Sequence, residues 1–322
     1  MMTRTGCRRR FYSLFYVDGD HSQHANLAAG VRRSADIYLE CGIGLAKSCA
    51  YHGVDFAIVT NNKKFVSERV AALGGEIETI AHVFDREVPA DASFYAAHFK
   101  LDLLRAFGAG AYGSRVALID IDTILMRPMA MPPAPAHSLF VYDIAEQVRP
   151  IIGDAVILRD LNLIGGPTAD RAYWYGGEFI CGGAEAFASL SCAIDAFWPA
   201  YRAHYREFHH VGDEMIVTAA LGCLHDRGTQ LVDASAAGLV ARWWTARTGF
   251  AQKPFASVAG ACLLHLPADK LFLAEQSRKP FDPNRFLLDY RRYAQRKLWL
   301  RRIVNPALSL IRRDRKYVGR LG

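Results

Sequence analysis

Two carboxylates that follow an apolar segment are the residues of this chain best suited to chemistry. Asp120 and Asp122 come directly after residues 116–119, which predict a strand buried on both faces. Residues two apart on a strand point to the same side, and open α/β sheets bind ligands beyond the carboxyl ends of their strands. Two acids at this place repel each other unless a cation lies beside them. Because hard oxygen ligands favour Mg²⁺ or Mn²⁺, the pair predicts a divalent-metal site completed by phosphate oxygens.

The Asp-x-Asp tripeptide has little specificity by itself. Asp18 and Asp20 form a second copy around Gly19, and acids that follow a strand can also cap the next element. The position of Asp120 and Asp122 behind a continuous apolar strand favours the metal site over the capping alternative.

Other polar residues stand at the ends of apolar segments. Asp213 and Glu214 open a predicted helix, where acids cap the helix N-terminus or complement its dipole. Glu178 lies between apolar neighbours and needs a partner if it is buried. A lone histidine at a strand end, such as His265, is most often a structural hydrogen-bonding residue. Lys100 lies in a predicted helix, with a solvated surface position as the alternative to ligand contact.

In their order along the chain, these segments resemble the glycosyltransferases of the GT-A fold, in particular the retaining families eight and six. The resemblance covers about residues 11–275. It rests on FKLDLL at 99–104, Asp120-Ile-Asp122, YWYGGEFICGG at 173–183, Gly212-Asp213-Glu214, and Leu264-His265 followed by Lys270. Family eight normally carries Asn where Gly176 stands, and its His…Lys element has a Gly in place of Pro267-Ala268 and one more residue before the Lys. The Asp213-Glu214 pair is closer to family six.

The resemblance implies a nucleotide-diphosphate sugar as donor, a UDP-sugar, and Mn²⁺ or Mg²⁺ as cofactor. It assigns metal ligation to Asp120, Asp122 and His265. It assigns donor contacts to Asp18 at the nucleoside, Lys100, Asp120, and Lys270 at the diphosphate. A divalent ion and a lysine neutralise the charge that develops on a diphosphate leaving group.

The same resemblance places Asp213 and Glu214 beside the transferred sugar as the catalytic pair and implies transfer with retention. Glu178 and Trp243 are assigned to the acceptor, a glycan or glycolipid, with the protein core as the alternative location for Trp243. His209 and His210 lack metal-ligand spacing and are expected to be exposed.

Apolar runs alternate with helical patterns, which predicts an α/β fold with a mostly parallel mixed sheet flanked by helices. Strands are predicted at 11–17, 55–60, 76–81, 115–121, 138–142, 174–181, 239–244 and 261–266, and helices at 35–52, 64–73, 93–107, 184–205 and 212–224. A single Rossmann-like GT-A domain is expected over residues 1–285, with a nucleotide-sugar half at about 11–127 and an acceptor half at about 136–275.

The last part of the chain is strongly basic. Residues 291–322 carry 11 Lys and Arg against one acid, whereas the whole chain has a net charge of +7. Residues 286–322 therefore predict a basic amphipathic helical tail, broken at Pro306, that binds an anionic membrane surface. The alternative is a disordered tail that only aids solubility. This predicts a cytoplasmic protein, peripheral on the inner face of a membrane. Nucleic-acid binding is not expected, because the charge is confined to the tail.

Composition excludes several classes of protein. The chain of 322 residues is 51% hydrophobic and 22% charged, which is ordinary for a globular protein and not for a disordered or collagen-like one. No apolar run reaches the roughly 18 residues of a membrane span, and the N-terminal segment lacks a signal-peptide cleavage site. The seven cysteines are scattered without a CxxC pair, which predicts free thiols.

Two alternatives remain to glycosyl transfer. Asp120-Ile-Asp122-Thr123 also resembles the nucleophile motif of haloacid-dehalogenase-like phosphatases, but Thr60, which would supply the threonine motif, precedes the nucleophile, and Val217 stands where a second late acid is needed. The other alternative is a non-catalytic scaffold that binds a sugar nucleotide.

Overall fold

The structure is a computed structural model that describes residues 10–17, 34–166, 171–246 and 249–318, with side chains as far as residue 300. Asp18, assigned to the nucleoside, lies outside the described residues. Ten strands are present in this part of the chain: β1 (Arg10–Leu14), β2 (Asp55–Thr60), β3 (Glu78–Ala81), β4 (Arg115–Ile119), β5 (Thr123–Leu125), β6 (Leu139–Asp143), β7 (Tyr175–Gly183), β8 (Leu231–Asp233), β9 (Val240–Arg242) and β10 (Leu263–His265).

Seven of these strands form the main sheet. Their order is β3-β2-β1-β4-β7-β6-β8. Strand β7 is antiparallel to both of its neighbours, and all other pairs are parallel. Successive residues of β1 and β4 are buried regardless of the side to which they point, so both faces of the sheet are covered. The predicted α/β fold with a mostly parallel sheet is confirmed.

Ten α-helices complete the described structure: α1 (Ser34–Tyr51), α2 (Lys63–Ala72), α3 (Lys100–Gly108), α4 (Ala145–Ile152), α5 (Asp154–Gly165), α6 (Ala184–His204), α7 (Asp213–Asp226), α8 (Phe255–Val258), α9 (Lys270–Gln276) and α10 (Pro283–Val318). Helices α3, α5, α6 and α7 pack among themselves, and α1 packs against α2 and α9. None of the helices in the described part of the chain is both long enough and apolar enough to cross a bilayer.

A second sheet of three strands has the order β5-β10-β9. Strand β10 is antiparallel to β5 and parallel to β9, with His265 opposite both Thr123 and Arg242. This small sheet brings residues that are far apart in the sequence to the end of β4.

The region before α3 departs from the sequence prediction. Instead of one helix over residues 93–107, a 3-10 helix (Tyr95–Phe99) leads into α3. The residue before it, Phe94, has a φ of 53°, a left-handed conformation that is rare for a bulky side chain and disfavours a regular helix start there.

The C-terminal helix also departs from the prediction in two ways. It continues through Pro306, because a proline removes one hydrogen bond and bends a helix without always ending it. Its first part is not a tail: Phe286, Tyr290 and Ala294 lie four residues apart and are buried against Phe272 and neighbouring core residues. The predicted boundary at residue 286 therefore falls inside a packed helix.

No disulfide joins the six cysteines of the described residues.

Candidate active site

A cavity of about 720 Å³ opens at the carboxyl ends of β1 and β4. Residues 14–16 after β1 and residues 120–122 after β4 lie in its wall. The predicted site residues Lys100, Asp213, Glu214, His265 and Lys270 also line it. Segments from six parts of the chain thus meet where open α/β sheets bind ligands.

The acidic pair lies on a turn and not on a strand. Strand β4 ends at Ile119, and the Thr123 hydroxyl donates to the Asp120 carbonyl at 2.7 Å, which closes the turn into β5. The Leu266 amide donates to the Asp122 carbonyl at 3.2 Å. The two acids are therefore aligned by the turn between β4 and β5, which belong to different sheets, and not by the strand alternation predicted from the sequence.

His265 reaches this turn through strand pairing. Because it lies opposite Thr123 in the β5–β10 ladder, its Nε2 is 3.1 Å from Asp122 Oδ1 and 3.8 Å from Asp120 Oδ2. One potential ligand atom from each of Asp120, Asp122 and His265 lies within 4.8 Å of the others. The structure thus brings together the three side chains that the sequence assigns to a metal.

Glu178 fixes the orientation of this histidine. Its Oε1 is 3.3 Å from His265 Nδ1 and 3.5 Å from Arg242 Nε. Burial opposes ionisation of Glu178, but Arg242 and His265 outweigh it and lower its pKa to about 2. The side chain is 1% exposed and does not line the cavity. Glu178 therefore differs from the expected acceptor contact, because its carboxylate is committed to His265 and Arg242.

Lys270 neutralises the second acid of the pair. Its Nζ is 2.6 Å from Asp122 Oδ2, donates to the Pro267 carbonyl at 2.8 Å, and lies over the Tyr38 ring. Burial alone would raise the pKa of Asp122, but the charges of Lys270 and His265 outweigh it and hold that pKa well below its usual range.

The donor set fits a divalent cation. Burial opposes protonation of His265, but Asp122 and Glu178 overcome this effect and raise its pKa to about 9. The two acids therefore favour a positive charge beside them. With Nδ1 held by Glu178, Nε2 is the nitrogen that faces Asp120 and Asp122, as in the carboxylate–histidine–metal arrangement. Two carboxylates and one imidazole suit Mn²⁺ well and Mg²⁺ acceptably.

Lys100 connects the acidic turn to the start of α7. Its Nζ is 2.7 Å from Asp120 Oδ1 and 3.3 Å from Asp213 Oδ2, and it donates to the Gly177 carbonyl at 2.9 Å. The Lys100 side chain is thus half-buried in the site, 13% exposed, and is not a solvated surface base. Burial raises the pKa of Asp213 to about 6, although Lys100 opposes this.

Gly176 and Gly177 leave no room for a side chain, because neighbouring carboxylates lie close to their Cα atoms. A Cβ on Gly177 would lie 2.8 Å from Asp213 Oδ2, and one on Gly176 would lie 2.0 Å from Glu178 Oε2. A side chain at Gly176, where family eight has Asn, would therefore collide with the Glu178 carboxylate.

Glu214 is also held by tertiary contacts. Its carboxylate accepts from Trp174 Nε1 at 2.9 Å and from the Gly177 amide at 3.2 Å. Helix α7 begins after Gly212 without a side-chain cap. Asp213 and Glu214 therefore do not cap the helix, but both lie in its first turn, where acids also complement the helix dipole.

The structure places one tryptophan and one histidine differently from the sequence prediction. Trp243 packs in the core, 5.0 Å from the Phe255 ring, with Nε1 donating to the Lys253 carbonyl at 3.2 Å. It is Trp244 that lines the cavity, together with His209 and His210. His209 is exposed, as the sequence predicted, whereas His210 is half-buried. Strand β9 ends at Arg242, so alternation along the strand does not fix which tryptophan faces inwards.

Several cavity residues have no counterpart among the sequence assignments. The most informative is Arg242, which is buried in β9 and lines the cavity. A charged residue inside an apolar strand segment needs a partner when buried, and this signal was available in the sequence. An apolar wall is formed by Ile144, Val148, Ile151, Ile152, Val156 and Phe250.

No protein-family model matches the chain, and no curated protein matches it. Among solved structures, the chain is similar to the apo structure of WbbM, a bifunctional glycosyltransferase. The match covers 82% of this chain and 46% of that protein, with a TM-score of 0.47 and 11% sequence identity. The chain therefore spans less than half the length of the solved protein that it matches.

Proposed function

We propose that this chain is a metal-dependent glycosyltransferase that moves a sugar from a nucleotide-diphosphate donor, a UDP-sugar, to a glycan or glycolipid acceptor with retention of configuration. The observation that carries the proposal is the cluster of Asp120, Asp122 and His265 at the edge of a cavity large enough for a nucleotide sugar. A bound Mn²⁺ or Mg²⁺ would supply charge neutralisation to the diphosphate leaving group.

The residues around the cluster support a division of roles. Lys270 lies beside Asp122 and adds a fixed positive charge where a diphosphate would meet the cation. On the other side, Lys100 holds Asp120 and Asp213 together. Asp213 and Glu214 place negative charge next to the acidic turn, where it would stabilise an oxocarbenium-like sugar.

The basic helix supports a membrane location for the acceptor. Leu288, Leu298, Trp299 and Leu300 of α10 are exposed large apolar residues on a helix rich in arginine. Aromatic and basic groups on one helix favour an anionic bilayer surface. We therefore place the chain on the cytoplasmic face of a membrane, where a glycolipid acceptor is accessible.

A thermal-shift panel of nucleotide sugars, with and without Mn²⁺, tests the proposal. A ligand at 100 times its Kd stabilises the folded state by about 2.7 kcal/mol, which moves the midpoint by a few degrees. We expect one donor to raise the midpoint only with Mn²⁺, and this result would also identify the donor.

Two other outcomes would favour the alternatives. Hydrolysis of an aryl phosphate that is lost in Asp120→Asn would indicate a phosphatase, although Thr60, its candidate threonine motif, does not line the cavity. A Mn²⁺-dependent shift without release of nucleoside diphosphate from any donor and acceptor would indicate a binding scaffold.

A further inference from the structure

The cavity contains a second set of polar side chains, which the proposed site for the nucleotide-sugar donor does not use. Arg242 lies opposite His265 in the β9–β10 ladder, so its Cα is about 5 Å from that of a proposed metal ligand. Its guanidinium lies 5.9 Å from the Trp244 ring and 5.8 Å from the Phe250 ring. All three residues line the cavity.

Several N–H groups of these side chains have no hydrogen-bond acceptor within the described residues. Arg242 Nε and Nη2 and Trp244 Nε1 are buried and make no hydrogen bond within the described residues. The Glu178 carboxylate forms an ion pair with Arg242 at 3.5 Å, but without hydrogen-bond geometry. A buried donor without an acceptor costs about 1–3 kcal/mol, so a bound ligand that supplied acceptors would recover this free energy.

The backbone that carries these N–H groups is itself hydrogen-bonded. The Arg242 amide donates to the Tyr142 hydroxyl at 2.8 Å. The Gln252 side chain both accepts from the Trp244 amide and donates to the Trp244 carbonyl, each at 3.0 Å. The unpartnered N–H groups therefore lie on a hydrogen-bonded backbone, as expected of a preformed binding site.

We propose that Arg242 and Trp244 form an oxyanion subsite that binds a carboxylate or phosphate group of the acceptor. Guanidinium and indole N–H groups are donors only, so the complementary group is one that only accepts, and a planar guanidinium pairs best with a carboxylate or phosphate. The adjoining apolar residues, such as Phe250, contact the remainder of the acceptor. This inference rests on the proposed function, since it names the acceptor class of that site.

Nuclear magnetic resonance of the tryptophan indole groups tests the subsite. In the full chain with Mg²⁺, the Trp244 Nε1–H resonance is assigned by Trp244→Phe and followed during titration with three probes. These are methyl glucuronide, glucose 6-phosphate and the neutral methyl glucoside. We expect a saturable shift with one or both anionic sugars, which separates the carboxylate from the phosphate source, and none with methyl glucoside.

The variants Arg242→Gln and Arg242→Lys complete the experiment, with thermal melting as the control for folding. Arg242→Gln should weaken anionic-sugar binding at least tenfold, and Arg242→Lys should bind with intermediate affinity because it keeps the charge but loses the planar pair of donors. Equal binding of neutral and anionic sugars, or unchanged affinity in Arg242→Gln, would overturn the proposal.

Further outcomes separate this inference from the proposed function. A requirement for Arg242 only in binding a nucleotide-activated uronic acid would place the anion on the donor and would also overturn the acceptor assignment. The indole titration needs neither donor nor turnover. An inert donor panel would therefore remove the glycosyl-transfer proposal, while the anion titration would still decide whether the subsite exists.

Discussion

At the residue scale, the carboxylate of Glu178 determines which nitrogen of His265 faces the acidic turn. The Glu178 contact at Nδ1 leaves Nε2 directed at Asp122. Such outer carboxylates keep a ligating histidine in the correct tautomer and orientation and raise its basicity. Glu178 is therefore a positioning residue in this account.

Replacement of this carboxylate tests the role. We expect Glu178→Gln to lower Mn²⁺ affinity by about 10-fold or more, within the range typical of outer-shell partners, because the amide can accept from Nδ1 but carries no charge. Mn²⁺ titration followed by electron paramagnetic resonance measures the effect. Glu146→Gln, which changes an exposed glutamate, is the matched control, and equal affinities in the two variants would refute the role.

Asp213 predicts a pH dependence of stability. Its pKa of about 6 in the folded protein exceeds the ordinary value of about 3.9, because burial disfavours the charged form more than Lys100 favours it, and Asp120 and Glu214 add repulsion. The folded state thus binds more protons between about pH 4 and pH 6, so this group makes the free energy of unfolding fall as pH rises through that window.

Asp213→Asn lacks this contribution. We expect the free energy of unfolding of the variant, relative to that of the unmodified protein, to rise by at most about 3 kcal/mol from pH 4 to pH 6 and then to level off. Urea unfolding across this range measures it, with Asp226→Asn at the exposed end of α7 as control. A difference that does not vary with pH would contradict the assignment.

Individual residues differ in how far the sequence predicted them. Asp120, Asp122, His265 and Lys270 meet as their motifs indicated. Their geometry was not predictable, since His265 and Asp122 come together through pairing between strands about 140 positions apart. Trp243 lies in the core, the alternative that the sequence left open, and Trp244 lines the cavity. The sequence could not distinguish the two, because the difference depends on where a three-residue strand ends.

At the element scale, helix α10 supports the segment that carries Lys270. Asp269, adjacent to Lys270, accepts from Tyr290 Oη at 2.7 Å and from Lys297 Nζ at 2.6 Å. Thr245 Oγ1 donates to the same carboxylate at 2.5 Å, and Lys297 also donates to the Ala268 carbonyl at 2.9 Å. The C-terminal helix is thereby tied to the loop that positions Lys270, the proposed contact of the diphosphate.

This connection predicts a distant effect on ligand binding. Lys297→Met should reduce stability by about 1–3 kcal/mol, because the buried Asp269 loses its cationic donor, and should weaken binding of a nucleoside diphosphate about threefold or more. Calorimetric titration with UDP and Mn²⁺ measures the affinity. Arg291→Met, at an exposed position of the same helix, should leave it unchanged. A loss of stability without loss of UDP affinity would show that α10 does not support the Lys270 loop.

The elements were predicted where their hydrophobic pattern is long. Strands β2 and β4 and helices α1 and α6 match the sequence prediction closely. Helices α4 and α5 were missed, because α4 is short, contains Pro150 and is separated from α5 by Gly153 alone. These two helices supply much of the apolar wall of the cavity, so this wall was the least predictable part of the site.

At the scale of the whole molecule, charge is concentrated at one end of the chain. The first half of α10 is part of the fold through Phe286, Tyr290 and Ala294, so deletion from residue 286 would unfold the protein rather than test a tail. The appropriate truncation ends the chain at Leu300.

Removal of residues 301–322 tests membrane attachment. We expect binding to vesicles of anionic lipid to fall at least tenfold, because seven basic residues are lost and each contributes about 1 kcal/mol near an anionic surface. Vesicle sedimentation measures binding, and vesicles of neutral lipid are the control. Donor binding should persist, since every cavity-lining residue precedes the truncation. Undiminished binding to anionic vesicles would refute the membrane role.

The central claim is that the acidic turn and His265 hold a divalent cation together with a nucleoside diphosphate. The most direct measurement is a Mn²⁺ titration by electron paramagnetic resonance, with and without UDP, on the unmodified protein, Asp122→Asn and the Asp226→Asn control. We predict that UDP tightens Mn²⁺ binding in the unmodified protein and the control, and that Asp122→Asn abolishes this coupling while remaining folded. Mn²⁺ binding that is equal in Asp122→Asn and the unmodified protein would contradict the account.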